Sequence, residues 1–196
     1  MRIAPWVLTA CLLAALPSPT VAGASSKGAP NAPSTEAAKI RAFRLELFER
    51  INVERLEQGL DPVVYSCSLE CVAAMHSADM SKRAYFEHES PEGENIWERV
   101  TKATKLKWGF VAENLAAGYR TPESLVEGWM KSKGHRENLL SRGVSHGGLG
   151  IVDGGIPPKV KGYVVTLVLA SSDPPLKRQY EGQCPCDDAD GGTARG

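Results

Sequence analysis

The stretch that most constrains the fold is YVVTLVLAS, residues 163–171, which is continuously apolar and rich in valine. Such a run is typical of a strand that is buried on both faces. GGLGIV, residues 147–152, predicts a second strand that pairs with it across the turn-rich DGGIPPKVKG. FVAENLAAG, residues 110–118, alternates in polarity and predicts a short extended segment. A sheet that is buried on both faces needs a layer of other elements on each side.

Two helices are predicted before these strands. The first runs from residue 34 or 35 to Gly59, because its apolar residues recur at helical spacing and glycine is a typical stop. The second covers about 68–82, with either Ser66 or Ser68 as its N-cap. Both patterns have one apolar face, so each helix is expected to pack against the sheet.

A third helix is predicted from Thr121 and Pro122, an N-cap followed by proline at the first helical position. If this helix ends at Lys133, Gly134 is placed as the left-handed residue after its C-terminus, and His135 projects from the corner. Helices early and in the middle of the chain, with antiparallel strands late, predict an α+β fold in which helices cover both faces of a small sheet.

Four cysteines follow the N-terminal region: Cys67, Cys71, Cys184 and Cys186. An even number in an exported chain favours disulfides. Pairing within either close couple is strained, so cross pairings are expected, and these would close a loop of over about 100 residues for a gain of roughly 4 to 5 kcal/mol. A four-cysteine zinc site is the alternative, although the spacings differ from the usual structural zinc patterns.

The N-terminus resembles an export signal. An apolar run from Ile3 to Leu16 follows Arg2, is shorter than the roughly 20 residues that span a bilayer, and leads to small residues at 22–24. We therefore expect a signal peptide over 1–24 and a secreted or periplasmic protein without a transmembrane anchor in its mature form. The alternative is a lipoprotein that is anchored through Cys11 in the sequence LTAC.

Composition separates the folded part of the chain from two polar segments that flank it. Residues 25–35 and 187–196 are polar and predict a disordered linker and tail, which leaves one domain over 36–186. Acidic and basic residues balance at 23 each, and basic tracts are absent. This balance argues against nucleic acid as a partner.

Four histidines are candidates for chemistry. His76 lies in line with the apolar face of the second helix, which favours a hydrogen-bonded core residue. His146 is interpreted as an exposed loop residue in GVSHGG. His88 lies in the turn YFEHESPEG, where a rigid non-helical segment can hold an imidazole at the edge of a cleft, and His135 lies at the corner of GWMKSKGHRENLL.

Five blocks together resemble a known family: LFERINVERLEQGLDPVVYSCSLECVAAMHSADM, YFEHESPEG, AENLAAG, GWMKSKGHRENLL and GGLGIV. Their order and approximate spacing are similar to the bacterial secreted branch of the CAP superfamily, the SCP-domain proteins. That superfamily includes cysteine-rich secretory proteins, antigen 5 proteins and pathogenesis-related proteins. The resemblance covers about 45–171 and implies a three-layer α-β-α sandwich with a small, mostly antiparallel sheet and a cleft.

The resemblance places His88, Glu113 and His135 in that cleft, as metal ligands or as catalytic residues. Two neutral imidazoles and a carboxylate can bind zinc or another divalent cation with one position open, or can form an acid-base group. An HExxH motif is absent, which excludes a zincin. A second glutamate of animal and plant members corresponds to Ser132 here. Two other acids could replace it, Glu127 or Glu137.

The resemblance favours a binding module whose cleft takes a divalent metal and a small apolar or cell-envelope ligand such as a lipid. The alternative is a peptidase-like hydrolase with His88 or His135 as general base, Glu113 as orienting residue, and Ser90 or a metal-bound water as nucleophile. A third hypothesis is a structural envelope protein with an inactive cleft.

Overall fold

The structure is a computed structural model that describes residues 35–104, 107–156, 160–172 and 184. Helices and strands follow one another as α1 Thr35–Glu57, β1 Val64–Tyr65, α2 Cys67–Arg83, α3 Ile96–Thr104, β2 Trp108–Tyr119, α4 Pro122–Lys131, α5 Lys133–Leu139, β3 His146–Asp153 and β4 Tyr163–Ser172. The signal segment 1–24, Cys11, nearly all of the linker, Cys186 and the tail lie outside the described residues. No helix within the described ranges is long and apolar enough to cross a membrane.

Local capping explains where two of the predicted helices begin. Ser66 accepts a hydrogen bond from the Leu69 N–H at the start of α2, and Ala84 ends this helix in the left-handed conformation. Thr121 caps α4 in the same way, ahead of Pro122. The predicted second helix and the start of the third are therefore confirmed.

The break between α4 and α5 differs from the prediction. Helix α4 ends at Lys131, and Ser132 adopts an extended conformation with φ −88° and ψ 123°. Gly134 lies inside α5 and does not have a positive φ. The expected left-handed Gly134 is wrong, because the chain already turns at Ser132 and His135 lies in the first turn of the next helix.

Helix α3 was missed by the sequence patterns. It is preceded by a reciprocal capping box, in which the Glu98 N–H donates to the Asn95 side chain and the Asn95 N–H donates to the Glu98 carboxylate. The sequence NIWE carries this signal, which marks the start of a helix. This helix carries Arg99, which is part of the site described below.

Within the described ranges the sheet has four strands, in the order β1-β3-β4-β2. Strands β3 and β4 pair antiparallel, as predicted, and β2 pairs antiparallel with β4 along nearly its whole length. The short β1 was not predicted and pairs parallel with β3. Strand β2 therefore lies at one edge of a mostly antiparallel sheet.

Alternate residues of β4 face two different helical layers, and this arrangement gives the three-layer sandwich. Val165, Leu167 and Leu169 pack with residues of α1, α4 and α5. Val168 and Ala170 pack with residues of α2 and α3. All five side chains are fully buried, which confirms that this strand is covered on both faces.

Glycines in β3 let α2 lie close against the sheet. A Cβ atom at Gly148 or Gly150 would lie under 3.0 Å from backbone atoms of α2. Because the helix backbone cannot move as a flexible side chain can, any larger residue forces the helix away from the strand. This close contact fixes the position of α2 and of the residues that it carries toward the site.

A disulfide joins Cys67 at the start of α2 to Cys184, with a sequence separation of 117 residues. Cys71 is also disulfide-bonded. Cross pairing is thus confirmed for Cys67 and Cys184. The four-cysteine zinc site is wrong, because the sulfurs of Cys67, Cys71 and Cys184 are joined in disulfides and cannot bind zinc as thiolates. In the chain-entropy relation, a loop of this length stabilises the fold by about 4 to 5 kcal/mol.

Candidate functional site

Glu113 occupies the centre of the candidate site. It lies on β2 with a side chain that is 1% exposed, on the face of the strand that is turned toward α2 and α3. Its Oε1 atom lies 2.9 Å from His88 Nδ1, and its Oε2 atom lies 2.8 Å from Arg99 Nη2. Both carboxylate oxygens are therefore engaged by side chains from other segments.

His88 lies on the loop between α2 and α3, with a side chain that is 58% exposed. A carboxylate can only accept, so the Nδ1–H donates to Glu113, and this hydrogen bond raises the pKa of His88 despite partial burial. The bond also fixes which ring nitrogen carries the proton in the neutral form, which leaves the Nε2 lone pair available. Of the predicted set of His88, Glu113 and His135, the first two are therefore in direct contact.

Arg99 from α3 completes this cluster and was missed by sequence reasoning. Besides its contact with Glu113, Nη2 donates to the His88 carbonyl at 3.0 Å and Nη1 donates to the Glu94 carbonyl at 2.8 Å. The side chain is 8% exposed. One guanidinium therefore holds both the carboxylate and the loop that carries the histidine.

His76 was predicted to be a hydrogen-bonded core residue, and this is confirmed. It is buried in α2, and its Nε2–H donates to the Glu87 carbonyl at 3.1 Å. Burial lowers its pKa, which favours the neutral ring. The same nitrogen lies 4.0 Å from Glu113 Oε1, so His76 also forms a wall of the site.

His135 approaches from the other helical layer. It is half-buried in the first turn of α5, and its ring lies edge-on to Trp129 with centroids 6.5 Å apart. Burial lowers the pKa of His135, and the charge of nearby His88 lowers it further. The charge of protonated His88 is therefore felt at His135, although the two residues are 47 positions apart in the sequence.

Asparagine side chains connect α5 to the edge strand β2. Asn114 Nδ2 donates to the His135 carbonyl at 3.0 Å, and Asn138 Nδ2 donates to Asn114 Oδ1 at 2.9 Å and to the Glu113 carbonyl at 3.2 Å. These bonds fix the position of His135 relative to Glu113. They also occupy a backbone carbonyl at the edge of the sheet, where unpaired groups would attract another strand.

His146 is not the exposed loop residue that was expected. It is 2% exposed, begins β3, and its Nδ1 lies 2.8 Å from Ser145 Oγ. The two alternative acids make their ion pairs outside the His88, Glu113 and Arg99 cluster. Glu127 and Glu137 each pair with a lysine on their own helix at the surface.

Ser90, the candidate nucleophile, has a structural role in its turn. Its Oγ accepts hydrogen bonds from the backbone N–H groups of Glu92 and Glu94. Within the described ranges it makes no hydrogen bond to a histidine. The hydrolase hypothesis therefore stays a prediction without a serine-histidine pair to support it.

One group of three potential metal-ligating side chains is closely gathered in the part of the chain that the structure describes: Cys67, Glu70 and Cys184. Its two sulfurs form the disulfide, so it does not offer thiolate ligands. The ligand atoms of His88, Glu113 and His135 are not gathered within the same 4.8 Å. The arrangement thus offers two histidines, one of them oriented by a carboxylate, rather than a closed three-ligand cage.

Solved structures share this fold. An extracellular protein containing a SCP domain from Bacillus anthracis is 24% identical with a TM-score of 0.61, and the likeness covers 72% of this chain and 45% of that protein. An outer surface protein from Borrelia burgdorferi is 18% identical with a TM-score of 0.59, and here the likeness covers 72% of this chain and 96% of that protein. At these identities the likeness shows the fold alone.

Sequence comparison gives the family. The Bacillus subtilis protein YkwD is 34% identical over 125 residues, which are 64% of this chain and 48% of YkwD, so this chain spans about half of that relative. The sequence model of the cysteine-rich secretory protein family, CAP, matches residues 48–168, a range that contains the whole His88, Glu113 and His135 set. The resemblance is confirmed: the chain belongs to the CAP family.

Proposed function

We propose that this CAP domain is an exported binding module in which His88 and His135 hold a divalent cation such as zinc. The observation that carries the proposal is the 2.9 Å hydrogen bond from His88 Nδ1 to the buried carboxylate of Glu113. Metal-binding histidines usually donate their other N–H to such a carboxylate, which orients the ring and increases its basicity.

The donor set fits this proposal. His88 Nε2 makes no hydrogen bond to a residue in the described ranges, and the lowered pKa of His135 favours its neutral, ligating form. Glu113 is better suited to orient His88 than to bind the ion, because Arg99 already contacts its other oxygen at 2.8 Å. A bound cation would supply a positive charge and open coordination positions at the protein surface.

A cavity of about 450 Å³ adjoins His88 and supports a second component at this site. Tyr85 and Pro91 give it apolar surface, and Glu87 and Ser90 give it polar groups. This mixture suits a small amphiphilic ligand. We propose a cell-envelope molecule such as a lipid, with its polar end toward the histidines.

Calorimetric titration of zinc into the purified full chain tests the cation site. The wild type should bind one ion, and His88→Ala/His135→Ala should lose that binding. Glu127→Gln/Glu137→Gln is the matched control, because it removes two exposed carboxylates that do not contact the cluster, and it should bind like wild type. Equal affinity in wild type and the double histidine variant would refute the cation site.

Mass spectrometry of small molecules that co-purify with the protein tests the second component. The proposal expects an amphiphile that accompanies wild type and is depleted in the double histidine variant. An amphiphile retained equally by both proteins would show that it binds elsewhere, and finding none with either protein would remove the support for this part.

A further inference from the structure

Arg99 has a position that the stability of the fold does not explain. We propose that Arg99 is a positioning residue, which holds His88 in the orientation that the cation site requires. This inference rests on the proposed function, because it explains how that site is kept ready to bind. It assigns a role to a residue outside the His88, Glu113 and His135 set.

The guanidinium acts on His88 in two ways. Directly, Nη2 donates to the His88 carbonyl at 3.0 Å and fixes the backbone of the loop. Indirectly, it contacts Glu113 Oε2 at 2.8 Å and so aims the other oxygen at His88 Nδ1. Backbone and ring are thereby held from a single point, which leaves Nε2 as the nitrogen available for a ligand.

A third contact anchors this arrangement to α3. Arg99 lies in the first turn of this helix, and its Nη1 donates to the Glu94 carbonyl just before the capping box formed by Asn95 and Glu98. The start of the helix is therefore fixed relative to the loop. The position of α3 sets the position of His88.

The arrangement is costly in free energy. Arg99 and Glu113 are both buried, and a buried ion pair is often no more stable than apolar residues of similar volume. Arg99 Nε is also buried without a hydrogen-bond partner among the described residues. An unsatisfied buried donor is destabilising, so this arginine is better explained by what it positions than by what it stabilises.

Lysine cannot replace this geometry. The contacts to Glu113, His88 and Glu94 use two different guanidinium nitrogens in a fixed plane. A lysine ammonium is a single point charge on a flexible stem. Arg99→Lys therefore keeps the charge beside the carboxylate and loses the fork that also holds the loop.

The test uses the full chain with Arg99→Lys, and Arg83→Lys as the matched control. Arg83 pairs with Asp79 and Glu92 near the same loop and does not contact Glu113 or His88. Nitrogen-15 chemical shifts of the His88 ring, measured without metal above its titration range, report which nitrogen carries the proton. We expect the Nδ1–H form in wild type and in the control, and a mixture of both forms in Arg99→Lys.

Zinc titration of the same proteins gives the second readout. Arg99→Lys should bind zinc about 10- to 100-fold more weakly, the usual effect of losing an outer contact of a metal ligand, and Arg83→Lys should match wild type. If Arg99→Lys does not fold, Arg99→Gln takes its place, because its side-chain amide keeps one donor for Glu113 and loses the guanidinium fork, and it should give the same mixture of ring forms. A wild-type ring form and affinity in whichever of these variants folds would overturn the role of Arg99.

The two proposals fail in different ways. If wild type binds no zinc, the cation site fails, and the ring measurement still decides whether Arg99 orients His88. If wild type binds zinc and the Arg99 variant keeps both the ring form and the affinity, only the positioning role is lost.

Discussion

Glu113→Gln should destabilise the protein by about 3 kcal/mol. The substitution keeps the shape of the side chain and removes a charge that is 1% exposed, beside an Arg99 that is 8% exposed. Removing one partner of a buried ion pair lowers the free energy of unfolding by about 3 to 5 kcal/mol, because the charge of the other partner is left uncompensated. The amide oxygen can still accept one hydrogen bond from Arg99, so the lower end of that range is expected.

Urea denaturation followed by tryptophan fluorescence measures this loss. The midpoint should fall while the denaturant slope stays unchanged, as expected for a change in stability alone. Glu92→Gln is the control, because Glu92 pairs with Arg83 at the surface, where ion pairs contribute little. If both variants lost the same stability, the buried pair would not have the energetic role argued from its geometry.

Three further outcomes are expected. The pKa of His88 is raised above its ordinary value of 6.5 in the folded protein. The stability that protonated His88 contributes is therefore fully present below about pH 6.5 and is lost as the pH rises through the higher folded pKa. Histidine NMR titration should show the raised pKa, and Glu113→Gln should lower it. Gly150→Ala should cost about 1 to 3 kcal/mol by forcing α2 outward, whereas Gly134→Ala, which meets nothing within 4 Å in α5, should be neutral or stabilising in thermal melts. Cys184→Ser opens the loop that the disulfide closes across 117 positions, and it should lower the free energy of unfolding by about 4 to 5 kcal/mol. Urea denaturation under conditions that leave the disulfide of Cys71 intact measures this change. An unchanged free energy of unfolding would contradict the stabilising role of the Cys67–Cys184 bond.

Local signals in the sequence predicted the parts of the fold that depend on near neighbours. The caps at Ser66 and Thr121 mark the starts of helices, and the uninterrupted apolar run of β4 indicates a strand that is covered on both faces. His88 and Glu113 could be paired only through the family resemblance. They are 25 positions apart, and no local pattern indicates which side chains meet across a loop and a strand.

The errors have physical reasons. GVSHGG looks like an exposed turn because glycine is common in turns, yet His146 begins β3, where it is 2% exposed and its ring lies edge-on to Trp108. Arg99 was missed because α3 was missed, although the capping box in NIWE marks its start. Even with that helix predicted, the contact between Arg99 and Glu113 depends on how α3 packs on β2, which is tertiary information.

The site is built from two adjacent residues of one edge strand. Side chains alternate along a strand, so Glu113 points toward the layer of α2 and α3, where it holds His88, while Asn114 points toward α5, where it bonds the His135 carbonyl. The two histidines are thus tied to the same strand from opposite faces. A shift of β2 by one residue would exchange these faces and separate both histidines from their partners. The long pairing of β2 with β4 that prevents such a shift is therefore a requirement of the site as well as of the fold.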